Sequence, residues 1–210
     1  PEMSSITGQQ DEVFDAFRKR ISGAMVRIAY FIIPTIAAFL SIGDLIAAVL
    51  FQTGKFTRHD SIWVWSILAG STVGLFAATL GRLYASAFYA LRDTRTPLRF
   101  ALLRLLLTGS LGWLCAIVLP PRLGVSPSLG AAGLTASAGV AGWIEFLLLR
   151  RKLHSKIGKV HNNTGQILRL WGAAACAACP CLALKYAARG YLERFPVAVG
   201  LFIIGAFGVL

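Results

Sequence analysis

Charge is scarce in this sequence: 14% of its 210 residues are Asp, Glu, Lys or Arg, and only nine of them are acidic. A soluble domain of this length must cover itself with polar and charged side chains, so that class is excluded. Residues that carry chemistry are scarce too. Three His and four Cys provide no His pair at metal-ligand spacing, and neither a glycine-rich phosphate loop after a strand nor a nucleophile elbow occurs. Nothing in the sequence calls for a cofactor, and the chain does not read as an enzyme. No initiator Met precedes Pro1, residues 1–20 lack the basic and apolar regions of a secretory signal, and the chain stops inside the apolar stretch 197–210. These ends set the expectation of a piece of a longer polytopic protein.

What is abundant is apolar surface. Hydrophobic residues make up 56% of the chain and the mean hydropathy is +0.67, so lipid is the solvent for most of it. The formal charge of +12 would suggest nucleic acid if the bases lined one polar face. Instead they fall in short clusters between apolar runs, where lipid headgroups and the positive-inside bias place them. Nucleic acid is therefore not an expected partner.

The apolar runs set out an all-α polytopic bundle of about six transmembrane helices. Residues 11–20 (DEVFDAFRKR) begin with acids and end with bases, the polarity a helix dipole favours, and read as an amphipathic lead-in. A first span over 21–40 contains Pro34, where a kink is expected. After Gly43 comes a stretch over 44–51 too short to span alone, read as a helical extension capped by Asp44, and Gly54 takes a positive φ in the polar turn at 52–60. The second span covers 62–91. RDTRT at 92–96 then precedes Pro97, read as a first helical position, and a third span over 98–119. A proline-rich loop follows, then a fourth span at 129–149, the basic block RRKLHSKIGKVH at 150–161, a fifth span at 167–186 and a sixth at 196–210. The basic clusters at 18–20, 92–99 and 150–159 fall on alternate connections, which predicts that they share the cytoplasmic side.

Ionisable residues inside the spans are the functional candidates, because a charge in hydrocarbon costs at least about 2.5–3.5 kcal/mol and turns toward protein or water. Arg27, Arg82, Arg104 and Glu145 qualify, all in the predicted cytoplasmic half. On the second span Ser71, Thr79, Arg82, Ser86 and Tyr89 recur at helical period and form one polar stripe. One reading makes this stripe the wall of a cavity that attracts an anionic headgroup, with Arg82 central and Tyr89 and Asp93 as its local partners. The other has the arginines snorkelling toward headgroups and Glu145 in a structural pair with Arg104 or Arg82. Cys176, Cys179 and Cys181 (CAACPC) include a C-x-x-C spacing, but they lie among Ala residues in mid-span. Packing is the expected role, with a redox pair as the alternative. Gly70 and Gly74 form a G-x-x-x-G suited to close approach of a neighbouring span.

Three stretches carry a family resemblance: PEMS at 1–4, VLFQTGKF at 49–56 and FYALRDTRTP at 88–97. Together with the hydropathy pattern they resemble the MurJ/MviN lipid II flippase family, from its ninth helix onward. The resemblance implies the C-terminal lobe of a two-lobe exporter fold in the multidrug/oligosaccharidyl-lipid/polysaccharide superfamily. It divides the chain into a lead-in at 1–20, four helices of that lobe at 21–152, and a basic loop with two additional helices at 153–210. It further implies the bacterial inner membrane, alternating-access transport of the undecaprenyl-pyrophosphate-linked precursor lipid II, and as partners anionic phospholipid and a missing N-terminal lobe. The family's main cavity arginines lie on helices this chain does not contain, so none is carried over. Some relatives place an Asn at a cation site in the eleventh helix; Gly112 stands there, which departs from the pattern. The alternatives are an exporter of another polyprenyl-linked glycan or of drugs, and a non-transporting membrane scaffold.

Overall fold

The computed structural model of the chain describes residues 2–51, 58–118, 127–161 and 164–187, with single positions at 202, 205 and 207. Gly54 and most of the expected sixth span lie outside the described residues. Within them are five helices: α1 (Glu2–Phe51), α2 (Arg58–Ala90), α3 (Arg95–Trp113), extended by a π-helical turn at Leu114–Val118, α4 (Pro127–Ile157) and α5 (Thr164–Ala187). All five contain stretches long and apolar enough to cross a membrane, and no strand occurs among the described residues.

The helices pack side by side in the order α5, α1, α2, α4, α3, an open row with α2 at its centre. Apolar residues of α1 at 21, 25, 29 and 33, spaced one turn apart, are buried against Phe76, Leu80, Tyr84 and Phe88 of α2, with Phe146, Leu149 and Leu153 of α4 closing the core. Between membrane helices, close van der Waals packing and interhelical hydrogen bonds do the work that water exclusion does in soluble cores. Gly74 and Gly139 show this: a Cβ on Gly74 would overlap the Gly139 backbone, and one on Gly139 would lie 2.7 Å from the Gly74 nitrogen. Trp143 adds a bond from Nε1 to the Val73 carbonyl at 2.7 Å. The G-x-x-x-G of α2 thus seats α4.

The expected break near Gly43 does not occur, and α1 is one helix of 50 residues. Gly43 serves packing instead: a Cβ there would come within 2.8 Å of the Trp65 ring, whose Nε1 donates to the Phe39 carbonyl at 3.1 Å. Asp44 lies inside the helix and caps nothing. Pro34 also lies within α1, where its missing N–H leaves the Tyr30 carbonyl without the usual intrahelical bond.

Between α2 and α3 the chain reverses through Arg92, which takes a left-handed φ of 58°. The Arg92 N–H reaches the Tyr89 carbonyl at 3.0 Å and the Asp93 N–H the Phe88 carbonyl at 3.0 Å, the Schellman pattern that usually recruits Gly. Asp93 then starts α3 by accepting from the Thr96 N–H at 3.1 Å and the Thr96 hydroxyl at 2.7 Å. Pro97 falls in the first turn, two residues later than its sequence-based placement, where its missing N–H still costs no helical bond. At the same end Arg18 donates to the Ile157 carbonyl, Ser22 to the His161 carbonyl at 2.9 Å, and Lys156 to Asp93 at 2.5 Å. The three basic clusters therefore lie together at one end of the row.

Candidate functional site

Four of the charged side chains within the spans pair off. Arg104 Nη1 on α3 lies 3.0 Å from Glu145 Oε2 on α4, and only 13% of the Glu145 side chain is exposed. Gly142 and Gly81 flank the pair, and a Cβ on either would sit 4.0 Å from it, in ordinary contact. Lys185 near the end of α5 lies 2.6 Å from Asp44 on α1 and also donates to the Ser41 carbonyl at 3.2 Å. This second pair was not singled out from the sequence, although an acid and a base in two otherwise apolar spans are the signal that would have found it.

Arg82 is in neither pair. It is exposed, and among the described residues no carboxylate accepts from it; Glu145 is taken by Arg104, and Asp93 by Lys156 and Thr96. Arg82 instead lines a cavity of about 450 Å³ between α1 and α2, together with Ile28, Phe31, Ile32, Thr79, Leu83 and Ser86. A second cavity of about 330 Å³, lined by Phe17, Arg20, Ile21, Ala24, Leu83, Ser86, Ala87 and Ala90, shares Leu83 and Ser86 with the first. The two make one groove that climbs from the basic end along α1 and α2.

Thr79 gives its hydroxyl proton to the Leu75 carbonyl at 2.9 Å and Ser86 to the Leu83 carbonyl at 2.8 Å. The donors left to this groove are guanidinium N–H groups, which suit an anion. The polar stripe of α2 is thus brought into the groove at Thr79, Arg82 and Ser86, whereas Ser71 and Tyr89 are exposed but outside its lining. Tyr89 and Asp93 are not the local partners of Arg82. Arg27 is exposed on α1, one residue before the groove wall at Ile28. Cys181 is buried beside Ile42 and Leu45, while Cys176 and Cys179 are exposed and all are free; among the described residues no cluster suited to a metal ion occurs.

A row of membrane-length helices, tied by two ion pairs within the spans and opened along a cationic groove, defines an all-α polytopic membrane protein. A family profile described as lipid II flippase MurJ matches residues 1–207. The chain belongs to the lipid II flippase MurJ family, integral to the bacterial inner membrane. It is 35% identical over 117 residues to a probable lipid II flippase MurJ of Rhizobium meliloti, covering 56% of this chain and 20% of that protein. With the lipid II flippase MurJ of Burkholderia cenocepacia it shares 32% over 116 residues, or 55% of this chain and 20% of the relative. A solved lipid II flippase MurJ in an inward closed conformation matches 98% of this chain with a TM-score of 0.63 at 16% identity, using 41% of the solved chain. That likeness fixes the exporter fold. The chain spans about a fifth of the length of these two relatives.

Proposed function

We propose that this chain is the C-terminal portion of a transporter that moves lipid II across the inner membrane, and that the α1–α2 groove presents Arg82 to the anionic part of the lipid. The observation that carries this is Arg82 itself: a cation within a span, without a carboxylate among the described residues, facing open space. The relatives, lipid II flippases, supply the substrate. An N-terminal lobe, in this reading, completes the cavity, and anionic phospholipid engages the gathered bases at 18–20, 92–99 and 150–159, each worth about 1 kcal/mol near such a surface. Arg104 and Glu145 hold α3 to α4, and transport acts through shape and charge rather than bond-making.

The test is complementation in a bacterium depleted of its own lipid II flippase. The full-length protein containing this segment should rescue growth, and Arg82→Ala should lose rescue at unchanged membrane level. Full rescue by Arg82→Ala would remove Arg82 from the transport path.

A further inference from the structure

One polar atom at the basic end is used neither by the groove nor by the ion pairs. His154 stands near the end of α4, on the face that buries Leu153 and Ile157. Its Nε2 is buried, and among the described residues nothing bonds it. A neutral ring can carry its proton on Nδ1 and leave Nε2 bare, whereas an imidazolium would bury an unpaired N–H together with its charge. Arg150, one turn earlier, and Lys159 add like charge. Among the described residues the acids of this end are engaged or exposed. Asp15 of α1 is taken by Arg18, and Asp93 of the α2–α3 turn by Lys156 and Thr96. Tyr84 of α2 gives its proton to the Met25 sulfur at 3.5 Å, and Glu12 and His161 are exposed. The joint thus closes on a neutral imidazole.

Around this ring the chain forms a clasp. It turns at Gly158, whose φ is 84° and whose N–H bonds the His154 carbonyl at 3.1 Å. The strap 158–161 then lies on α1, held where Arg18 donates to the Ile157 carbonyl and Ser22 to the His161 carbonyl at 2.9 Å, with Val160 buried beneath it. Arg18 and Ser22 are interleaved along α1 with Phe17, Arg20 and Ile21, which line the lower cavity of the groove. Strap and groove mouth therefore share one stretch of α1.

We propose that His154 makes this clasp proton-sensitive: shut over a neutral ring, it opens when the ring is protonated and releases the stretch of α1 at the groove mouth. In the open clasp the imidazole meets water and titrates near its ordinary value of about 6.5. The closed clasp resists the proton, so closure holds in full above about pH 6.5 and weakens as pH falls below it. Opening needs no lipid; its effect on transport rests on the reading above.

Thiol labelling tests it. The full-length protein, with its own cysteines replaced, carries Val160→Cys or, as the reference, Ser155→Cys, which is exposed. The ratio of the two maleimide rates cancels the reagent's own pH dependence. It should be level from about pH 8 to 7 and rise about threefold or more by about pH 5.5, where one proton taken at about 6.5 allows at most about elevenfold. His154→Phe, which keeps a ring and loses the proton, should hold the ratio level, and His161→Gln should leave the rise intact. A level ratio with His154 in place overturns the proposal whether or not His154→Phe folds. So does a rise that survives His154→Phe, or one that His161→Gln abolishes. A level ratio together with lost complementation by Arg82→Ala removes the clasp and leaves the transport reading; the expected rise with full rescue by Arg82→Ala does the reverse.

Discussion

The ammonium of Lys156 on α4 lies 2.5 Å from Asp93 Oδ2 in the α2–α3 turn and 5.6 Å from the centroid of the Phe88 ring. One carboxylate therefore starts α3, anchors the last turn of α4 and sits beside the aromatic that ends the core. Replacing it with Ala removes the bonds to Thr96 and Lys156 together. Loss of a cap alone costs about 0.5–2 kcal/mol, so Asp93→Ala should lower the unfolding midpoint of the detergent-solubilised protein by several degrees, and Lys156→Ala by less, since its side chain is 40% exposed.

The same carboxyl sets a pH dependence. Hydrogen bonding from Lys156, then from Thr96, holds the Asp93 carboxyl well below the usual carboxylate range. A group depressed in the folded state adds stability in full above its unfolded pKa of about 3.9, and loses it as pH falls toward the lower folded value. The gap in midpoint between wild type and Asp93→Asn should stay level from about pH 7 to 5 and narrow only below about 4. A gap that closes above pH 5 would show that the pair is not formed.

Arg104 and Glu145 should behave as a unit. Glu145→Leu alone leaves Arg104 without its acceptor among apolar neighbours and is expected to cost about 3 kcal/mol or more, whereas Arg104→Met with Glu145→Leu should return most of that loss. The double variant, compared with each single by thermal unfolding, decides it; equal losses in all three would mean that the charges do not couple.

Packing at α2 and α4 predicts a sharp contrast among glycines. Gly74→Ala puts a methyl into the Gly139 backbone, while a Cβ on Gly23 or Gly109 meets nothing within 4 Å. Gly74→Ala should destabilise clearly, and Gly109→Ala should be neutral or stabilise by up to about 1 kcal/mol through helix propensity.

The Asp44–Lys185 pair pins α5 to α1 beside Cys181, which is 1% exposed. Asp44→Asn should loosen that contact and raise the rate at which Cys181 reacts with a small membrane-permeant thiol reagent, with Cys176 and Cys179 replaced by Ser. An unchanged rate would place the anchoring of α5 elsewhere.

Much of this was legible in the chain. Long apolar runs gave the five described spans, the basic clusters gave the shared end, and a pair between Arg104 and Glu145 was among the readings offered. Misreadings came from residues whose meaning changes in lipid. Gly43 stands where the first span was set apart from the stretch at 44–51, but among membrane helices a Gly grants close approach, here to Trp65. Asp44 looked like a cap for the same reason, and its partner Lys185 lies 141 residues away, beyond any local pattern. Arg82 was legible as an intramembrane cation. That its groove continues down to Arg20 depends on how α1 lies against α2, which periodicity in either helix does not determine.

The unbroken course of α1 makes it a mechanical element. Fifty helical residues rise about 75 Å, against a hydrocarbon thickness of about 30 Å, so a large part of α1 stands outside the bilayer as an extension of the span that forms the groove wall. A tilt of about 5° would swing one end of such a rod by roughly 6 Å relative to the other. Any force on the arm that precedes Phe17 is then delivered to the groove wall at 17–32 as a lever delivers it, since Pro34, whose missing N–H loosens the helix, lies beyond that wall.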